Sequence, residues 1–187
     1  MRSVSNLTNH FLIAMPGLQD TNFFRTVTYI CDHNEEGAMG IVLNRPTDLQ
    51  LKDILEQLNI DQANPTAGGQ QIYVGGPVQT ERGFVLHTSE RKWDSTLEIT
   101  PEISITTSRD ILQSIAHGDG PHNSLIALGY AGWGAGQLED EMGANAWLSG
   151  PAESAIIFDL PPDQRWEAAA ELLGVDLNLI SGETGHA

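Results

Sequence analysis

Ser124-Leu125-Ile126-Ala127-Leu128-Gly129-Tyr130-Ala131-Gly132-Trp133-Gly134-Ala135-Gly136-Gln137-Leu138-Glu139-Asp140-Glu141 is the stretch on which the fold turns. Ser124 to Gly129 is a near-continuous apolar run. Such a run predicts a strand covered on both faces. The glycine-rich segment follows it and opens a short acidic helix, expected from about Gln137 to Met142. Strand, glycine loop, helix start is the layout of phosphate-binding loops, where free N–H groups meet an anion. The spacing is neither G-x-x-x-x-G-K-[ST] nor G-x-G-x-x-G. Gly129 to Glu141 also lacks Lys, Arg, Ser and Thr. Glu139, Asp140 and Glu141 fall in the first turn, where carboxylates themselves interact with the helix N-terminus and repel a phosphate. The segment therefore reads as tight backbone packing with a self-neutralised helix start. A binding role for Trp133, Gln137 and Glu139 is the alternative.

Strands dominate the half of the chain that precedes this segment. His10 to Ala14 is a short apolar run that stops at Pro16-Gly17. Thr26 to His33 alternates, with Val27, Tyr29, Cys31 and His33 expected on one face. Asn34-Glu35-Glu36-Gly37 is a turn signal, and Ala38 to Leu43 follows, so the pair predicts a hairpin. Leu51, Ile54, Leu55 and Leu58 form one helical stripe. Gln71 to Val74, Gly83 to His87, Leu97 to Thr100 and Ile103 to Thr106 predict further strands. Residues 108–116 predict a helix capped by Thr107 and Ser108. Asn145 to Leu148 and Ala155 to Phe158 read as strands. Pro162 to Leu173 reads as a helix, with proline at its start and Gly174 past its end. Strands in blocks, with three to four helices between them, predict a single α+β domain over 1–187 rather than a βαβ alternation. Residues 1–6 and 181–187 read as loose ends, and Asp61 to Gln70 as a flexible loop.

Composition limits the function. The 187 residues carry nine Lys and Arg against 25 Asp and Glu, a formal charge of −16. That surface repels phosphate backbones and anionic headgroups, so direct nucleic-acid binding and membrane binding are not expected. Only Arg91-Lys92, with Arg82 nearby, forms a small basic group. No stretch approaches the roughly 20 apolar residues of a membrane span. Phe11 to Met15 is shorter than a signal-peptide core of about 7–15 residues. With one cysteine, Cys31, no intramolecular disulfide can form, which suits a reducing compartment. The expected location is cytoplasmic, and the expected state a monomer or weak oligomer.

Ala14-Met15-Pro16, Gly37 to Pro46, Val74-Gly75-Gly76-Pro77-Val78, Gly83 to His87 and Gly129 to Glu139 together resemble the bacterial YqgE/AlgH family, in that family's order. The resemblance implies an α+β domain with a mostly antiparallel, branched sheet folded into a pseudo-barrel. Members are commonly labelled transcriptional regulators, after a link to alginate synthesis, or left uncharacterised. The resemblance brings no catalytic residues with it.

Candidate chemistry is sparse. Cys31 and His33, two apart on a strand, could form a nucleophile pair. With Val27 and Tyr29 on the same face, Cys31 reads instead as a small core hydrophobe. His117, Asp119 and His122 match no standard zinc spacing, so no metal or cofactor is expected. Asn44-Arg45, His87 and Ser108 stand at strand ends. If those ends cluster, they form a polar pocket with Arg45 as its anion-binding group. The plainer expectation is that Asn44 and Arg45 hydrogen-bond nearby turns. No Ser–His–Asp, H-E-x-x-H or nucleophile-elbow motif is present. The favoured reading is a regulatory or adaptor module acting through an unidentified protein partner. The alternative is an enzyme or small-ligand binder using Asn44, Arg45, His87, Ser108, Trp133, Gln137 and Glu139.

Overall fold

A computed structural model describes residues 6–18, 23–61, 64 and 66–177. Its strands are β1 (His10–Ala14), β2 (Val27–Asn34), β3 (Gly37–Val42), β4 (Pro46–Gln50), β5 (Gln71–Val74), β6 (Val78–Thr88), β7 (Thr96–Glu98), β8 (Ile103–Thr106), β9 (Ser124–Gly134) and β10 (Trp147–Pro151). They form one sheet, in the order β10-β1-β2-β3-β9-β6-β8-β7, with every pair antiparallel. A branch leaves this path: β5 pairs parallel with β9, and β4 pairs antiparallel with β5. The helices are α1 (Leu51–Gln57), α2 (Asp110–Ala116), α3 (Gln137–Gly143), α4 (Ser154–Phe158) and α5 (Pro162–Glu171). The architecture is α+β, a curled, mostly antiparallel sheet shaped as a half-barrel with five α-helices among the described residues.

The branch point lies inside the opening stretch. Along one edge of β9, Ile126 pairs with Ile72 of β5. Beyond Gly129 the same edge belongs to β3, with Gly40 opposite Ala131 and Ala38 opposite Trp133. The two partners meet where Val42 N donates to Gly75 O and Gly75 N donates to Leu128 O, both at 2.8 Å. Here the backbones nearly touch. A Cβ on Gly76 would sit 2.1 Å from the Tyr130 carbonyl carbon, and one on Gly129 2.5 Å from Gly76 O. Both glycines also have positive φ, +157° and +80°. Only residues without a side chain fit on the two sides of this crossing.

The glycine-rich segment is thus not a loop, as its composition suggests. Strand β9 runs on to Gly134, and only Ala135-Gly136 turns into α3. The period-2 alternation of buried Ala131 and Trp133 with exposed Gly132 and Gly134 marks it as a strand.

Three apolar clusters hold the sheet. Under α4 and α5, one face buries Tyr29, Ile41, Phe84, Leu86, Leu125 and Ala127 against Ile157 and Trp166. On the other face, α1 and α2 bury Leu51, Leu55, Ile111 and Ile115 against Ile72, Val85 and Ile126. The third cluster packs Leu138 of α3 against Leu12, Ile30, Trp133 and Trp147. Residues 124–129 are therefore covered on both faces, as their apolar run predicts. Each fully buried Leu, Ile or Phe contributes about 1.5–3 kcal/mol.

Three local expectations are corrected. Ala155 to Phe158 is helix α4 rather than a strand, because four apolar residues carry no distinguishing period. Strand β10 starts at Trp147 and reaches Pro151, instead of spanning Asn145 to Leu148. Arg109, not Thr107 or Ser108, is the N-cap of α2, and no side chain caps it. The loose ends at 1–5 and 181–187 lie outside the described residues, as do 62, 63 and 65 of the expected loop.

Candidate functional site

A register shift in β2 decides where its polar residues point. Ile30 pairs with Gly40 and Asp32 with Met39, so Cys31 is an extra residue opposite one position of β3. A bulge of this kind reverses the face of everything after it. Cys31 packs with Val27 and Tyr29 in the main core, whereas His33 lies in register with Ala38 and Trp133 on the opposite face. The expectation that Cys31 and His33 share a face is overturned by this bulge, and the Cys–His pair goes with it. Burial pushes the Cys31 thiol far above its ordinary range, with the Asp32 charge adding to the effect.

On that opposite face α3 is fastened to the sheet by its acids. Leu7 N donates to His33 Nδ1 at 3.0 Å, so the proton of the neutral ring sits on Nε2 and points at Glu139 Oε2, 3.1 Å away. Glu141 Oε1 accepts the indole N–H of both Trp133 and Trp147, each at 3.0 Å, and Oε2 accepts Gln137 Nε2 at 2.9 Å. Gln137 Oε1 in turn accepts Gly134 N at 3.0 Å. The Phe23 ring stacks on Trp133 and meets Trp147 edge-on, at 5.9 and 5.4 Å. Trp133, Gln137 and Glu139 do converge, together with His33, Glu141 and Trp147. They do so in two sets, Glu141 with Gln137 and both indoles and Glu139 with His33, and the indoles are 5% and 4% exposed.

The other candidates are spent in separate places. Asn44 Oδ1 accepts Val27 N at 3.1 Å, and its Nδ2 donates to Arg25 O at 3.0 Å. Arg45 Nη2 donates to Phe24 O at 3.0 Å. This is the turn-bonding role that is the plainer expectation for the pair. The turn at 23–25 links the two groups, because Phe23 reaches the indoles while Asn44 and Arg45 hold the next two carbonyls.

His87 is fully buried in a closed chain of hydrogen bonds. Thr88 O can only accept, so Nδ1 donates to it at 2.8 Å. Nε2 then accepts the Thr106 hydroxyl at 2.7 Å, Thr106 accepts the Thr96 hydroxyl, and Thr96 accepts Trp93 N. Burial lowers the His87 pKa below 6.5, outweighing the Thr88 carbonyl. Ser108 Oγ donates to Asp110 Oδ1 at 2.6 Å and accepts Ser95 N at 2.9 Å. No hydrogen bond among the described residues joins Asn44, Arg45, His87 and Ser108 into one pocket. Nor does any group of three or more metal-ligating side chains occur among the described residues.

Among the open clefts, one of about 430 Å³ lies at the end of the β2–β3 hairpin, beside Trp133. Asp32, Met39 and Gly132 stand in register across three strands. Gly132 leaves its floor bare, with the Tyr130 ring 3.3 Å from where a Cβ would be. Met39, Val78 and Tyr130 give apolar walls, and Asp32, Asn34 and Glu36 form an exposed rim. Met39 and Tyr130 also pack on the main core, so the cleft continues the core face past the cover of α4 and α5. The sequence conceals this cleft because bulge and cross-strand register are not local properties. Its traces are the alternating glycines of β9 and the hairpin that sets β3 beside them.

Comparison with known proteins places the chain. A family model described as AlgH-like matches residues 11–178. A UPF0301 protein of Thioalkalivibrio sulfidiphilus is 59% identical over 187 residues, all of each chain. The solution structure of the AlgH protein from Pseudomonas aeruginosa is similar at 55% identity, with a TM-score of 0.81 over 100% of both chains. A crystal structure of a Corynebacterium diphtheriae protein shares the fold at 18% identity, with a TM-score of 0.74 over 97% of this chain and 94% of that one.

Proposed function

The chain belongs to the AlgH-like family, and from that premise we propose that it is a cytoplasmic protein-interaction module, regulatory through its partner rather than through DNA. The supporting observation is the cleft between Asp32, Met39 and Gly132. It is an open piece of core-facing sheet with apolar walls and two acidic side chains on its rim. An exposed apolar surface rimmed by polar groups is a mark of protein contacts. The −16 charge steers basic partners toward it and repels nucleic acid. The partner we assign is therefore a basic protein segment with apolar side chains for the floor.

Catalysis finds less support. Cys31 is buried and protonated, His87 has both nitrogens engaged, and His33 is locked between Leu7 and Glu139. Trp133, Gln137 and Glu139 serve in this reading as the mounting of α3, and Asn44 and Arg45 as the mounting of the turn at 23–25.

The test is affinity capture from lysate with the wild-type chain and with Asp32→Lys/Glu36→Lys. Both positions are exposed, so the fold should survive the change. A protein retained by the wild type and lost by the charge-reversed variant supports the reading. An identical set of proteins on both, or none on the wild type, contradicts it.

A further inference from the structure

A third of the few basic residues meet at one corner of this acidic protein. Arg25, Arg45 and Arg165, three of the nine basic residues, gather at the corner Leu43-Asn44-Arg45. Arg165, 5% exposed, donates Nη1 to Leu43 O at 2.5 Å and Nε to Leu160 O at 3.1 Å, and lies over the Tyr73 ring. The Arg25 guanidinium sits over the rings of Trp166 and Phe24, at 5.1 and 5.4 Å. Among the described residues no carboxylate lies within ion-pair distance of Arg25 or Arg165. A buried cation satisfied only by carbonyls raises the local potential, since charge of one sign in low dielectric is weakly screened.

The backbone at this corner is held in an unfavourable shape. Arg25 has φ +55°, the left-handed region, which costs a residue with a side chain on the order of 1 kcal/mol or more. Glycine would relieve that cost, yet arginine stands here. Two bonds enforce the turn, from Asn44 Nδ2 to Arg25 O and from Arg45 Nη2 to Phe24 O. Its product is an exposed guanidinium stacked on two rings, beside a Phe24 that is 44% exposed. A planar cation lying on aromatic faces is preorganised for a carboxylate, because less rotamer freedom is lost on binding.

We propose that Phe24 and Arg25 form a second docking surface, for an acidic protein segment that sets a carboxylate on Arg25 and an apolar side chain on Phe24. This goes beyond the basic-segment cleft and is independent of it. Arg25 precedes β2 by two residues and Asn34 ends that strand, so the two surfaces lie at opposite ends of one hairpin. Elsewhere the acidic surface repels such a segment, which confines it to this corner.

The test is a titration of the full chain with the peptide acetyl-Asp-Glu-Leu-Phe-Asp-Glu-amide, followed by NMR at the Arg25 Nε–Hε and Phe24 amide signals. Inorganic phosphate and a short DNA duplex are titrated in parallel. The decisive variant is Arg25→Gly, which removes the cation and the strain together. The expected result is saturable peptide binding, at least tenfold weaker in Arg25→Gly and unchanged in Arg91→Gln, with Arg25→Gly melting no lower than wild type. Binding retained by Arg25→Gly overturns the proposal, and so does the absence of saturable binding. An equal response to phosphate or DNA also overturns it, by pointing to a general anion site. A failed cleft with a working Arg25 site, or the reverse, separates this proposal from the one above.

Discussion

Trp133 and Trp147, on strands β9 and β10, donate their indole N–H groups to the same oxygen of Glu141, each at 3.0 Å. These strands stand four places apart in the sheet order, with β1, β2 and β3 between them. One carboxylate of α3 thus ties the branch point to the far edge of the sheet. Glu141→Ala leaves two buried indole donors without an acceptor, at roughly 1–3 kcal/mol each. The expected outcome is a melting temperature about 5–10 °C lower, with red-shifted tryptophan emission. Glu141→Gln should fall between, because its oxygen still accepts the indoles while its amide opposes that of Gln137. A variant as stable as wild type would show that the shared oxygen holds nothing.

Two glycines with positive φ should respond very differently to alanine. At Gly136 nothing lies within 4 Å of the added Cβ, and the cost is about 1 kcal/mol of backbone strain. At Gly76 the Cβ would strike the Tyr130 carbonyl carbon at 2.1 Å, where only backbone can yield. Gly76→Ala is expected to lose roughly 4 kcal/mol or more, or not to fold. Urea unfolding of both variants gives the comparison. Equal losses would mean that the branch point does not depend on that contact.

His87 gives the stability curve a sign on its acidic side. Its folded pKa lies below 6.5, so as pH falls through 6.5 the unfolded chain takes up the proton first. The stabilisation from keeping His87 neutral is fully present above pH 6.5 and is lost as pH falls toward the folded pKa. His87→Gln keeps one donor for Thr88 O and one acceptor for Thr106. The urea midpoint should therefore fall less between pH 7.5 and 5.5 in His87→Gln than in wild type. An equal fall would remove His87 from the acid response.

Cys31 is the one cysteine of the chain, and burial holds it as a thiol. Iodoacetamide at pH 8 should leave the native protein unmodified and alkylate it promptly in urea, read by intact mass. Rapid alkylation without denaturant would contradict the packing of Tyr29, Cys31 and Phe84 in the main core.

What the sequence made legible follows from what is local. The hairpin of β2 and β3, the stripe of α1 and the proline-started α5 each follow from period and turn chemistry within a dozen residues. The double cover of Leu125 to Leu128 was readable because its apolar run has no polar side. Gly129 to Gly134 was not, because glycine marks both a loop and a strand crossed by another backbone. The bulge at Cys31 left no local trace, and it sends His33 to Glu139 rather than beside Cys31. Of the candidate residues, Trp133 and Gln137 share one network through Glu141, and Glu139 joins α3 to His33. Asn44 and Arg45 lie apart from His87 and Ser108, because the first two follow β3 and the others belong to β6 and the end of β8, on the far side of β9 in the sheet order.

The central claim is that the cleft between Asp32, Met39 and Gly132 receives a protein partner. It is tested most directly by photo-crosslinking in cells, with a photoreactive residue placed at Glu36 on the rim and, as control, at Glu167 on α5, both exposed. The predicted result is a covalent adduct from Glu36 that mass spectrometry maps to a basic segment of another protein, with none from Glu167. No adduct from Glu36, or the same adducts from both positions, would contradict it.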